Sequence, residues 1–259
     1  MPTFIDDTGS ESLGLSSRVG AVAQRWGLAT GFDRQVCLAA TCDPSAFSSQ
    51  AVIRAYTRAS KEWQLAGTNA ADASSTQLTT GGIQLTTGAT SGDQMIVSPL
   101  VINSVQQSPW GWVDWTPDRM PSLDVSVAFS SSVASVRAIF GFKLTTALDY
   151  STDADHCLFV LDTALASNWR LHSRVATVDE NRDAVSAVAK SVPQTLTRYD
   201  LSIRISNQRR PVFLIDGQEV GTGPALTAAA AFKPVLAVQT LTSGARDMQL
   251  LKAACALNI

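Results

Sequence analysis

The run Pro109-Trp110-Gly111-Trp112-Val113-Asp114-Trp115-Thr116-Pro117 packs three indoles into six residues. Indole faces exposed on a sheet stack on the apolar faces of sugars, so Trp110, Trp112 and Trp115 are the candidate glycan-binding residues. In an extended strand Trp110 and Trp112 share one face, while Val113 and Trp115 share the other. The same run therefore also reads as an anchor for a core or a subunit contact, and both uses stand open at this point.

Sugar hydrolysis makes a different demand, for two carboxyl groups held across the glycosidic bond. The glutamates are Glu11, Glu62, Glu180 and Glu219, and none has an acidic partner two residues away on the same strand face. Asp153 and Asp155 do alternate, but Ser151-Thr152-Asp153-Ala154-Asp155 has turn composition, and short aspartate clusters mostly satisfy turn backbone. The histidines, His156 and His172, lie in no nucleophile context. His172, inside Trp169-Arg170-Leu171-His172, is expected as a half-exposed strand residue. Gly221-Thr222-Gly223 precedes Pro224 and not a helix, so a turn is expected there and not a phosphate cradle. No catalytic residue, metal site or cofactor is expected, and the chain is expected not to be an enzyme.

These residues need a scaffold, and 259 residues suffice to bury a core without covalent staples. With 20 Lys+Arg against 22 Asp+Glu, nothing draws the chain onto a phosphate backbone or an anionic bilayer, so neither nucleic acid nor membrane is an expected partner. The first ten residues carry Asp6 and Asp7 and lack the basic, then apolar, profile of a secretory signal. Cys37, Cys42, Cys157 and Cys255 are expected as free thiols; a Cys37–Cys42 bridge or zinc at that pair is the alternative.

From about Gly82 the chain alternates apolar and polar residues between turn signals. Leu123, Val125, Val127 and Phe129 alternate with Asp124, Ser126 and Ala128, and Val136, Ala138, Phe140 and Phe142 follow. Leu201, Ile203 and Ile205 continue the pattern, and Pro211–Ile215 runs into Asp216-Gly217, a type I′ hairpin signal. Further strands are expected at 94–102, 157–162, 169–175, 234–240 and 248–254. This spacing, with no amphipathic helices between, predicts an all-β antiparallel sandwich over residues 63–259. Residues 1–62 are expected as an N-terminal extended arm or, equally, as edge strands of the same sandwich. The near repeat at Gln77–Gly82 and Gln84–Ala89 predicts two turns around a short Thr-rich strand.

Several segments together resemble virion structural proteins of tailed phages that carry a concanavalin A-like, laminin G-type jelly-roll domain. They are Gly81–Thr87, Gly92-Asp93-Gln94 with Val97-Ser98-Pro99, Trp112–Trp115, Thr152–Asp155, Tyr199–Ile203, Pro211–Val220 and Lys233–Val238. The resemblance covers about residues 63–257 and rests on the order of the segments, each weakly specific alone. It implies a jelly roll and a capsid decoration, or cement, subunit at the capsid surface. Such a subunit binds between major capsid proteins, as a homotrimer, and is assembled in the cytoplasm of a bacterial host. The alternative is a fibre or receptor-binding subunit that recognises a host glycan.

Overall fold

The computed structural model describes residues 52–54, 61–69, 74–78, 83–99, 101–102, 105–106, 114–130, 132–183 and 193–257. In chain order the strands are β1 (Val52–Arg54), β2 (Lys61–Ala66), β3 (Ser74–Gln77), β4 (Ile83–Thr86), β5 (Gln94–Pro99), β6 (Val101–Ile102) and β7 (Val105–Gln106). Then come β8 (Pro121–Ala128), β9 (Val136–Lys143), β10 (His156–Asp162), β11 (Arg170–Val175) and β12 (Val178–Asp183). The last are β13 (Tyr199–Ile205), β14 (Pro211–Ile215), β15 (Gln218–Thr222), β16 (Lys233–Thr240) and β17 (Asp247–Leu257). Among the described residues the one helical element is a 3₁₀ turn, Pro117–Arg119.

Two antiparallel sheets form the body. One has eight strands in the order β1-β2-β5-β16-β9-β10-β11-β12, the other seven in the order β15-β14-β13-β8-β17-β4-β3. The alternation read from the sequence is the inward face of each. Leu123, Val125 and Val127 of β8, Val136, Ala138, Phe140 and Phe142 of β9, and Leu201, Ile203 and Ile205 of β13 all lie in one core cluster. Trp169 centres it, with the rings of Phe140, Tyr199, Phe159 and Phe129 at centroid distances of 5.8, 5.9, 6.2 and 6.3 Å. Phe140, Tyr199 and Phe159 meet Trp169 edge-on, and such packing stabilises beyond the area that the rings bury.

The eight-stranded sheet is buried on its outer face as well. Ile96, Ile139, Leu158, Val160, Val235 and Ala237 form a second cluster there, with Leu148 and Tyr150 of the β9–β10 loop packed on it. Every residue of β10 is consequently buried, and its sequence, His-Cys-Leu-Phe-Val-Leu-Asp, runs apolar without alternating. At Gly141 of β9 a Cβ would sit 2.2 Å from the Cys157 carbonyl oxygen, 2.9 Å from Leu158 Cα and 3.0 Å from Ile203 Cδ1 of the facing sheet. No side chain fits between the strands at that point.

Asp216 and Gly217 turn β14 into β15 with φ of 51° and 81°, the backbone that the dipeptide was expected to supply. Gly221 and Thr222 lie within β15, so the turn expected at Gly221-Thr222-Gly223 is a strand end. Of the near repeat, Gln77 ends β3 and 84–86 lie in β4, its antiparallel neighbour, while 79–82 lie outside the described residues. β1 and β2 already belong to the eight-stranded sheet, with β1 at its edge, so this sheet starts ahead of residue 63. The rest of the proposed arm, 1–51 and 55–60, lies outside the described residues. Cys157 on β10 and Cys255 on β17 are buried free thiols, one in each sheet, and burial raises the pKa of both.

Candidate functional site

Polar groups collect at one end of the outer face of the eight-stranded sheet, where β9, β10, β11 and β12 lie side by side. Register sets His156 opposite Lys143 on β9 and Arg174 on β11, and Arg174 opposite Asp179 on β12. His172, two residues before Arg174, projects to the same face, and the imidazoles meet diagonally with His156 Nε2 and His172 Nδ1 2.7 Å apart. Asp179 Oδ1 lies 4.0 Å from His172 Nε2 and 3.5 Å from Arg174 Nε. The Tyr150 ring leans edge-on against His172 at a centroid distance of 4.6 Å.

One imidazole donates to the other across this contact, and the tautomer sets which of them is the donor. His156 Nδ1 is left buried and has no hydrogen-bond partner among the described residues. Burial lowers the pKa of His156 to about 2, helped by His172 and the cations Lys143 and Arg174. It lowers that of His172 to about 4, with Asp179 pulling the other way. Both rings are neutral at pH 7. The expectation of a half-exposed His172 is corrected: it is 5% exposed, because the Tyr150 ring of the β9–β10 loop and the His156 ring pack against it.

The surrounding loops are tied to this end of the sheet. Arg174 donates from Nη2 to the Thr177 carbonyl at 3.1 Å and from Nη1 to the Ser151 carbonyl, while Thr177 N–H donates to the Ala154 carbonyl at 2.9 Å. Asp153 accepts from the backbone N–H of Leu144 and Thr145 and from the Thr145 hydroxyl, and it pairs with Lys143 at 3.1 Å. Asp155 accepts from the N–H and hydroxyl of Thr227. Both aspartates thus do the backbone work expected of a turn. Asp162, at the other end of β10, pairs with Arg137 at 2.7 Å, and Arg137 donates to Gln239 at 3.2 Å.

The outer face of the seven-stranded sheet holds a polar depression of about 350 Å³ lined by Asp124, Ser126, Arg198, Asp200, Ser202, Arg204, Asp216 and neighbours. Its charges are already paired. Ser126 and Ser202 donate to Asp200 and Asp124 across the strands, Arg198 pairs with Asp200 at 2.9 Å, and Arg204 pairs with Asp124 at 3.5 Å. This is a cross-strand lattice of the sort that stabilises sheets.

Trp115 is 4% exposed, bridges to Phe232 and packs at 6.5 Å from Phe142. Of the two uses read from the sequence, Trp115 serves as a core anchor and offers no open face to a sugar. Trp110 and Trp112 lie outside the described residues. The histidine pair was missed in the sequence because its members sit 16 residues apart on neighbouring strands and meet only through the register.

No family model matches the chain, and no curated protein sequence matches it. Solved structures do share the fold. A protein from work on endo-acting O-glycanases, which prominent members of the human gut microbiota express to initiate mucin breakdown, superposes with a TM-score of 0.53. The match covers 85% of this chain and 100% of that one at 8% identity. A Bacillus licheniformis β-glucanase superposes with a TM-score of 0.51 over 75% of this chain and 92% of its own, at 10% identity. The fold is an antiparallel jelly-roll β-sandwich of the concanavalin A-like kind.

Proposed function

We propose that the chain is a non-enzymatic virion protein of a tailed phage, a capsid decoration subunit that binds between major capsid proteins as a homotrimer. Support for the non-catalytic part comes from the carboxylates. Among the described residues the buried aspartates, Asp93, Asp153, Asp155 and Asp162, are each engaged by backbone N–H together with a hydroxyl, amide or cationic side chain. A carboxylate held this way has its oxygens committed to the fold's own donors and is not free to reach a glycosidic bond. The phage assignment rests on the resemblance, whose segments at 199–203, 211–220 and 233–238 fall on β13 to β16, the hairpins and central strand of the two sheets. Mass spectrometry and a reconstruction of purified particles test it: density for the jelly roll on the head lattice is the expected result. Particles that lack the protein would end the proposal.

The second reading is a fibre or receptor-binding subunit that recognises a host glycan. Its motive is the tryptophan run at 110–115, together with a fold shared with a β-glucanase and a protein from work on O-glycanases. Binding to a glycan array that is lost in Trp110→Ala and Trp112→Ala variants of unchanged thermal stability would favour it over the decoration role. Trp115→Ala is expected to lower stability instead, by about 3–5 kcal/mol.

A further inference from the structure

We propose that His156, His172 and Asp179 form a binding site for one zinc-like divalent ion that staples the edge strand β12 to β10 and β11. Each of the three side chains brings a donor atom to within 4.8 Å of the other two. Two imidazole nitrogens and one carboxylate oxygen are a donor set suited to zinc, with a fourth position left for water. A tetrahedral ion with ligands at about 2.0–2.2 Å spaces its donors about 3.3–3.5 Å apart. His172 ligates one ion through one nitrogen only, so the 2.7 Å contact of its Nδ1 with His156 and the 4.0 Å approach of its Nε2 to Asp179 belong to different donor choices; with one atom from each residue the donors lie within 4.8 Å and must close by at most about 1.5 Å. Side-chain rotation supplies that, because Asp179 is half-exposed on an edge strand.

The histidines are otherwise uncommitted. His156 makes its one described side-chain hydrogen bond to His172, and its Nδ1 is buried without a partner among the described residues. Of the neighbouring cations only Arg174 shares the carboxylate that the ion would take, at 3.5 Å, and it has other partners. Arg174 keeps the carbonyls of Ser151 and Thr177, and Lys143 keeps Asp153 at 3.1 Å and the Asp149 carbonyl at 3.0 Å. Bound at this point, an ion would join β10, β11 and β12 across the edge of the sheet and hold the hairpin 175–178 over the β9–β10 loop.

The test is Co²⁺ titration of the full chain after chelator treatment, with Cys37 and Cys42 replaced by Ser so that those thiols cannot contribute. One equivalent is expected to bind with a visible d–d band that zinc displaces, and zinc is expected to raise the melting temperature. Asp179→Asn is expected to weaken binding about tenfold or more with the near-ultraviolet circular dichroism unchanged. His172→Gln is expected to abolish the band. The proposal is overturned by the absence of a band and of a melting shift at about 1 mM ion, well above the micromolar range of a specific site. A thiolate charge-transfer band overturns it too, as does unchanged affinity in Asp179→Asn, and this last criterion holds even if His172→Gln fails to fold.

Discussion

Lys143 and Asp153 have side chains that are 0% and 1% exposed, so each charge depends on the other for compensation. Removing Asp153 strands a buried ammonium and also leaves the Leu144 and Thr145 N–H groups without their acceptor. Asp153→Ala is therefore expected to cost about 3–5 kcal/mol in urea unfolding at pH 7. Lys143 adds a pH signature, because burial lowers its pKa below 10.5 against the raising effect of Asp153. Between the lowered value and 10.5 the unfolded chain holds the extra proton, so raising the pH through that window stabilises the fold. The deficit of Asp153→Ala is expected to shrink as pH rises toward 10, and a deficit independent of pH would contradict the assignment. The imidazoles carry the opposite lesson at acid pH. Their folded pKa values, about 2 and about 4, lie below the ordinary 6.5, so their contribution is complete above pH 6.5 and is lost as pH falls through 4 and then 2. In chelator-treated protein the urea midpoint is expected to fall between pH 7 and pH 5. The same midpoint at both would show that the two rings are not buried neutral.

At the level of elements, the β11–β12 hairpin turns through Ala176 and Thr177, both at positive φ, 48° and 73°. A β-branched residue is poorly suited to that conformation, which Asn-Gly adopts readily. Replacing Ala176-Thr177 by Asn-Gly keeps the N–H of residue 177 for the Ala154 carbonyl and is expected to stabilise by about 1–2 kcal/mol, a gain of several degrees in melting temperature. Gly141→Ala is the reverse case: with backbone 2.2 Å from the new methyl in the middle of a sheet, a loss above about 4 kcal/mol or failure to fold is expected. These two hairpins also show what could be read in advance. Asp216-Gly217 announced its turn because the dipeptide has the required backbone preference, whereas Ala176-Thr177 carries no such signal and β12 was not expected at all. Strands with one wet face, such as β8 and β13, were legible through their alternation. For β10, covered on both sides, the reason for its continuous apolar run became plain only once the second cluster on its outer face was seen. The histidine pair was illegible for a further reason, since a contact between strands depends on register and not on any one segment.

For the molecule as a whole, the sandwich has two sheets of different character: one buried on both faces through its central strands, the other carrying paired Asp, Ser and Arg outside. The sequence led to the layers and much of the strand content; the element order within the sheets needed the structure, because β16 inserts between β5 and β9 and β17 between β8 and β4. The outer face of the seven-stranded sheet presents interlocked charges, since opposed Asp and Ser or Arg on neighbouring strands satisfy one another. The two buried thiols give this architecture an internal clock. Cys157 reports on the eight-stranded sheet and Cys255 on the seven-stranded sheet, and neither thiolate forms while its sheet stays closed. With Cys37 and Cys42 replaced by Ser, the rate at which a maleimide modifies each remaining cysteine measures how often that layer opens. Equal rates mean that the sandwich comes apart as one unit; faster labelling of Cys255 means that the seven-stranded layer peels away first.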